Sequence, residues 1–366
     1  MNDGQYKVSQ YASQIQEAVQ HCESLRRNSE NPLDTTFEQF IQKKWNISLD
    51  ALFEDLGVDP NLDTIQNIFT LPDNSVRWLI PEIIREALRL GLRKNPIWSN
   101  LIASEQSVKN PSVTLPHLNM SDAAPKYVGE AETIPLGTVS FGQKTFKLNK
   151  IGRGVKIPYE VKNYVSINVI SIFLQDFGVK LSQAIDALLI DTLINGEQAD
   201  GSESAPVVGI TTPGTLVYED LLRVWVRMSR IGRGPSSIIG GEAAALGTLS
   251  LPEFKNKVVG SPLASIDLKT PVPTTTNYYV HGNVPADQQI IIDPSAAIIK
   301  YNAQPLLVET EKIVSNQTEA SYATLTTGFG IAFRDARLIM DNSLDFATDG
   351  FPTYMDADAF ENVVIN

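Results

Sequence analysis

One cysteine, Cys22, and three histidines, His21, His117 and His281, are all that 366 residues offer for disulfides, thiolate metal sites and imidazole bases. A disulfide within the chain is therefore impossible, and a reducing compartment is expected. The histidines have no ligand spacing, and a zinc pattern needs more than one cysteine. G-x-x-x-x-G-K-[ST], G-x-G-x-x-G and G-x-S-x-G are all missing, so no nucleotide loop or nucleophile elbow is proposed. Asp356-Ala-Asp358 resembles the start of a calcium loop but lacks the glycine and the closing glutamate. No catalytic residue, cofactor or metal is expected, and the chain is not read as an enzyme. Long apolar runs are also missing. The longest, Asn163 to Leu174, is too short to span a bilayer and ends at Gln175-Asp176, so no membrane contact is expected. The opening MNDGQYKVSQ is polar with no apolar core of a leader, which points to a soluble protein, intracellular when made.

Two further absences concern charge. Between Thr133 and Tyr159 there is no acidic residue, while Lys144, Lys147, Lys150, Arg153 and Lys156 recur at every third position. After Arg337 there is no Lys, Arg or His, while Asp341, Asp345, Asp349, Asp356, Asp358 and Glu361 supply half of the net charge of −12. An acidic balance argues against a dedicated nucleic-acid reader. Within one subunit the two regions could neutralise each other or stay solvated. Between copies they could set register in a repeating head-to-tail contact.

What is present reads as a folded α+β protein, 43% apolar and 20% charged, long enough for two or three domains. The first hundred residues read as short helices. Tyr11, Ile15, Val19, Cys22 and Leu25 share a helical face, Asp34, Ser48 and Ser75 are caps, and Gly57 is a stop. In PEIIREALRLGLRK, Arg85, Arg89 and Arg93 form a basic stripe. It is either a solvated face paired with Glu82 and Glu86 or a contact for a polyanion such as DNA. Residues 113–161 alternate with period two and are punctuated by glycines, which predicts a long β-hairpin poor in apolar surface and projecting from the body. Ile167 to Asn195 predicts the longest helix, roughly 40 Å at ~1.5 Å per residue, stopped by Gly196. Beyond a turn-rich link, residues 214 to about 320 read as a separate α/β unit: helix 219–230, strand 237–239, a helix opened by Gly240-Gly241-Glu242, then strands 277–280, 289–292, 297–301 and 306–308. Residues 322–340 return as strand.

This order of elements resembles the major capsid protein of tailed bacteriophages, the Hong Kong ninety-seven capsid fold, from about Val113 to Asn342. "APKYVGEAETIPLGTVSFGQKTFKLNKIGRGVKIPYEV" resembles its extended loop. "YVSINVISIFLQDFGVKLSQAIDALLIDTLINGEQADGSESAPVVGI" resembles its spine helix and glycine-rich exit. "QQIIIDPSAAIIKYNAQPLLVET" and "TTGFGIAFRDARLIMD" resemble the strands that close the axial domain. The resemblance implies an N-terminal helical arm (1–104), an extended β-hairpin loop (105–160), a peripheral domain with the spine helix (161–212), an axial α/β domain (213–320), and a return to the peripheral domain with an acidic tail (321–366). It implies pentamers and hexamers of the chain in an icosahedral virion shell around double-stranded DNA, assembled in the host bacterial cytoplasm. The loop would lie across a neighbouring subunit, and DNA contact would be weak and non-specific. Portal, scaffold or decoration proteins are possible partners. Some relatives cross-link a loop lysine, for which Lys144, Lys147 or Lys150 could serve. The alternatives are an encapsulin-like nanocompartment enclosing a cargo enzyme, another virion structural protein, and a soluble α+β enzyme.

Overall fold

The computed structural model describes residues 11–28, 37–64, 79–94, 96–118, 130, 139–197, 204–255, 269–270, 276–352 and 355. Helices α1 (Ala12–Asn28), α2 (Phe37–Trp45), α3 (Leu49–Asp55) and α4 (Leu79–Arg93) come first. Strands β1 (Ser104–Ser107), β2 (Ser112–Leu118), β3 (Val139–Lys147) and β4 (Asn149–Pro158) follow. Then come α5 (Tyr159–Tyr164), α6 (Ile167–Asn195), β5 (Val207–Ile210), α7 (Tyr218–Arg230), β6 (Ser237–Gly240), α8 (Glu242–Ser250) and α9 (Pro252–Lys255). Strands β7 (Lys269–Thr270), β8 (Thr276–Val280), β9 (Gln288–Ile292), β10 (Ile298–Ile313), β11 (Thr318–Ile331) and β12 (Arg337–Asp345) close the chain.

The chain folds as two units, each built from three stretches of sequence. The first comprises residues 1–96, 149–185 and 302–327. Its core takes Ile15, Val19 and Cys22 from α1, Leu79, Ile84 and Leu88 from α4, and Ile167, Ile170, Leu174 and Phe177 from α6. Ile157, Val308 and Ala323 of β4, β10 and β11 complete it. Leu25, expected on the buried face of α1, is 39% exposed. Ser48 caps α3 by accepting from Ala51 N at 3.2 Å, and Gly57 follows at φ +69°. The other two predicted caps, Asp34 and Ser75, lie outside the described residues.

Helices α4 and α6 meet through glycine. A Cβ on Gly91 would lie 2.1 Å from the Gln175 carbonyl oxygen, and one on Gly178 would lie 2.2 Å from that of Leu88. The two backbones therefore touch, and any side chain at either position would hold them apart. Helix α6 ends where expected, at Gly196 with φ +82°.

The second unit comprises residues 97–148, 186–301 and 328–366. Its main sheet has the order β5-β12-β9-β6-β8-β7. β9 runs antiparallel to both β12 and β6, while β5 is parallel to β12 and β8 is parallel to β6. The central strands are apolar on both faces, as strands covered on both sides must be. On one side Leu221, Val224 and Met228 of α7 pack with Val208, Ile238, Ile291, Leu338 and Met340. Elsewhere in this unit Gln289 of β9 donates to Thr248 Oγ1 of α8 at 2.8 Å, which satisfies its buried amide.

These units differ from the boundaries read off the sequence. The N-terminal helices share one core with α6 and the β4-β11-β10 sheet instead of forming an arm of their own. Residues 302–320 leave the α/β unit, because β10 is a single 16-residue strand where two short ones are expected. Residues 322–340 are two strands, interrupted at Arg334–Ala336 by a 3-10 turn. Period-two patterning marks strands well, but it is silent on which sheet a strand joins.

Candidate assembly surfaces

Among the described residues, strands β2 and β3 form a sheet of two strands. Val113 pairs with Phe146 and Thr114 with Thr145, whose hydroxyls lie 3.0 Å apart, and the register shifts before Pro116 meets Phe141. The ribbon is anchored at its root. Val113 and Phe146 are buried, Phe146 meets Tyr301 edge-on at 5.8 Å, and Leu148 N donates to the Pro111 carbonyl at 2.8 Å. A two-stranded ribbon has no core of its own and is marginal in water.

The basic stretch is divided between two sheets. Lys144 and Lys147 belong to β3, whereas Lys150, Arg153 and Lys156 belong to β4. β4 pairs with β11, from Asn149 opposite Thr327 to Pro158 opposite Thr318. This corrects the expected hairpin: its arms are β2 and β3, and residues 149–158 are not part of it. Val155 and Ile157 pull β4 onto the core of the first unit, and alternation alone could not have shown that choice. Lys147, Lys150, Arg153 and Lys156 are exposed. Among the described residues β4 is an edge strand, where cations and glycines discourage further pairing.

The acidic residues divide as well. Asp341 is no part of a free acidic face. It is buried at a break in the β12–β5 register, where its carboxylate accepts from Ser343 N (2.8 Å), Ser343 Oγ (2.6 Å) and Gln288 Nε2 (2.8 Å). Burial alone would raise its pKa, but these hydrogen bonds outweigh burial and hold it below the usual carboxylate range. Asp345 is exposed and caps its own turn by accepting from Ala347 N at 3.0 Å. Asp349 accepts from the Thr348 hydroxyl, and its backbone carbonyl accepts from Gly209 N. The segment is pinned to α7: Phe346 lies under Arg223 at 4.4 Å and Phe351 under Arg227 at 4.8 Å. Asp356, Asp358 and Glu361 lie outside the described residues.

The arginine stripe of α4 is not a row of free cations. Arg85 is ion-paired with Glu82, and Arg89 with Glu86 at 2.5 Å; the two arginine side chains are only 14% and 12% exposed. Arg93 is exposed. Among the described residues no group of three His, Cys, Asp or Glu side chains could hold a metal ion.

One constellation escapes a motif search. Lys300 of β10 is 3% exposed; its Nζ lies 2.8 Å from Glu105 Oε1 of β1 and 3.5 Å from the Trp98 ring centroid. Burial lowers its pKa, against the pull of Glu105. Trp98 is held in turn by its backbone N–H, which donates to Asp186 Oδ1 at 2.8 Å. The four residues of β1 are exposed; besides the strand's pairing with β10, this ion pair, whose lysine is buried, holds the strand that leads into the ribbon. The signal in sequence is faint: Lys300 is the lone charge between Asp293 and Glu309.

No protein-family profile matches the chain, and no curated protein matches its sequence. Solved structures do match. The virus-like particle from Pyrococcus furiosus is similar with a TM-score of 0.50 and 14% identity, over 70% of this chain and 97% of that one. The capsid of the native GTA particle is similar with a TM-score of 0.50 and 13% identity, over 67% and 90%. The mature capsid of bacteriophage PhiM1 scores 0.49 at 10% identity, over 68% and 87%. The chain has the Hong Kong ninety-seven capsid fold. At this level of identity the likeness shows the fold alone. What the ribbon, the β4 edge and the acidic segment do in this capsid-fold chain follows from their own chemistry.

Proposed function

We propose that the chain is a self-assembling shell subunit, the major capsid protein of an icosahedral phage head that encloses double-stranded DNA. The observation that supports this reading is the β2–β3 ribbon, among the described residues a sheet of two strands that a second copy would complete, on a chain with a capsid fold. A head-to-tail contact repeated around a ring gives closed pentamers and hexamers. Lys144 and Lys147 of the ribbon, with Lys150, Arg153 and Lys156 of the β4 edge, set register against the acidic segment of a neighbour. Asp345 and Asp349 are its described members. Exposed ion pairs contribute only ~0–1 kcal/mol each, so apolar contact supplies the affinity. The net charge of −12 suits a container whose contact with DNA stays weak and non-specific. In this reading the protein is a virion component assembled in the host cytoplasm, structural rather than catalytic, and able to meet portal, scaffold or decoration proteins.

A second reading keeps the shell and changes the contents. That reading is an encapsulin-like compartment holding a protein cargo: the shell fold is shared with the virus-like particle from Pyrococcus furiosus over 97% of that chain, and a shell fold does not by itself fix what the shell holds. Purified protein examined by size-exclusion chromatography and negative-stain electron microscopy tests both. The expected result is closed particles or capsomers, with nuclease-protected DNA inside when the chain is made with its packaging partners. Particles holding protein and no DNA favour the second reading. A monomer or small oligomer under all assembly conditions rejects both.

A further inference from the structure

Strand β4 is paired along one edge. It runs antiparallel to β11 from Asn149 opposite Thr327 to Pro158 opposite Thr318, ten residues without a register shift. Tyr159 continues the ladder by donating its N–H to the Gln317 carbonyl at 3.0 Å. In an antiparallel pair, residues that bond the partner strand alternate with residues whose N–H and C=O point away from it. The odd-numbered residues of β4 therefore bond β11, and the backbone groups of Lys150, Gly152, Gly154 and Lys156 face the other edge. All four residues are exposed, and among the described residues no strand pairs with that edge. Folded proteins keep such edges short, bulged or shielded by side chains. β4 is long and regular, and two of the four edge-facing residues are glycines that shield nothing. A Cβ on Gly152 would lie 2.6 Å from Thr324 Cγ2, and one on Gly154 would lie 2.7 Å from Tyr322 Cδ1, so β11 crowds against any side chain at either position.

The charges on β4 decide what can cover it. A second β4 laid antiparallel and in full register would set Lys150 opposite Lys156 and Arg153 opposite Arg153, and like charges directly opposite are destabilising. Cations and glycines turn away an indiscriminate partner, but they leave room for an acidic strand. Residues 356–366, DADAFENVVIN, follow Met355, the last described residue. They carry Asp356, Asp358 and Glu361 with no cation, glycine or proline, and Val363, Val364 and Ile365 are strand formers.

We infer that residues 358–365 of a second copy add an antiparallel strand to this edge of β4, with Asp358 opposite Lys156 and Glu361 opposite Arg153. The inference rests on the shell reading and names the contact that β4 makes there with a neighbour's acidic segment. One register satisfies both pairs, because Arg153 lies three residues before Lys156 and Glu361 three residues after Asp358. The same register sets Phe360 opposite Gly154, where a ring can cover a position that has no side chain, and Val363 opposite Ile151. The backbone ladder supplies the hold, and the charges choose the partner and its register.

The test is disulfide trapping in the full chain. Arg153 and Glu361 would form a non-hydrogen-bonded pair with Cα atoms ~4.5 Å apart, within the span of a disulfide. Arg153→Cys with Glu361→Cys, oxidised after assembly, should give a reducible ladder of covalent oligomers. Each single variant should give none, since the native Cys22 is buried. In the double-cysteine chain Lys156→Glu should slow cross-linking roughly fivefold, and adding Asp358→Lys should restore it. Wild type offers a second measurement: hydrogen exchange over Lys150–Lys156 should slow at least tenfold from free subunit to particle. Particles without a ladder overturn the inference, as does exchange unchanged by assembly. A disulfide closed within one chain overturns it too, since the segment then covers its own β4. Equal cross-linking with Asn362→Cys in place of Glu361→Cys, or a rate indifferent to Lys156→Glu, overturns the register. If wild type forms no particles, the shell reading fails before any cysteine is introduced, and this contact falls with it.

Discussion

Removing Glu105 should free the root of the ribbon. Lys300 is 3% exposed, and its described partners are the Glu105 carboxylate at 2.8 Å and the Trp98 ring at 3.5 Å. Breaking a buried ion pair from one side costs about 3–5 kcal/mol, because the remaining charge stays buried. Here the Glu105 side chain is 27% exposed, and the Trp98 face still attracts the ammonium, so the loss is set lower, at about 2–3 kcal/mol. Hydrogen exchange followed by mass spectrometry in Ser104–Ser107 reads this loss as local opening. Glu105→Ala should speed exchange there roughly thirty- to a hundred-and-sixtyfold, with little change in β9 or β12. Lys300→Met should stay within about 1 kcal/mol of wild type, because Glu105 can hydrate and the methionine keeps the packing on Trp98. The sign with pH follows from the lowered pKa of Lys300. The unfolded chain binds the extra proton, so this group favours the folded state increasingly as pH rises toward the ordinary lysine value of 10.5. The penalty in Glu105→Ala should therefore shrink in alkali. Exchange unaltered by Glu105→Ala, or an equal opening in Lys300→Met, would refute the clamp.

Three further substitutions probe the units separately. Gly178→Ala places a Cβ 2.2 Å from the Leu88 carbonyl oxygen and should cost about 3 kcal/mol by urea denaturation. By contrast, Gly247→Ala in α8 meets nothing nearer than Asn342 Nδ2 at 3.9 Å and should stabilise by about 1 kcal/mol; equal effects would show that the α4–α6 contact is looser than described. Asp341→Asn removes a carboxylate with three donors and should cost about 2 kcal/mol at neutral pH. Because the folded-state pKa of Asp341 is depressed, its contribution is full above the usual carboxylate value and is lost as pH falls through the lower one. The difference between variant and wild type should therefore close in acid, and a gap that persists at the lowest pH would argue against it.

Much of the architecture is legible in the residues. The 3.6-residue spacing and Gly196 place α6 from Ile167 to Asn195, and the helix expected over 219–230 is Tyr218–Arg230. The order of elements carries the capsid fold. The candidate surfaces were less legible. Lys144 to Lys156 looks like one charged ribbon, yet its second half pairs with β11, because alternating residues suit any antiparallel partner. Asp341 looks like its acidic neighbours but is enclosed by Ser343 and Gln288, which are two and 53 residues away. The glycines at 91 and 178 carry no local sign of the contact they make, which shows only when the two helices are laid together.

Local rules of chain geometry, then, were enough to say where helices and strands lie, how the charges are distributed along the chain, and which catalytic motifs it lacks. Those properties depend on neighbours a few residues apart. Which sheet claims β4, which carboxylate is enclosed, which lysine is clamped and which edge of β4 is left open depend on residues tens to hundreds of positions away. Only tertiary packing decides them, because burial is a property of the assembled core and not of any segment within it.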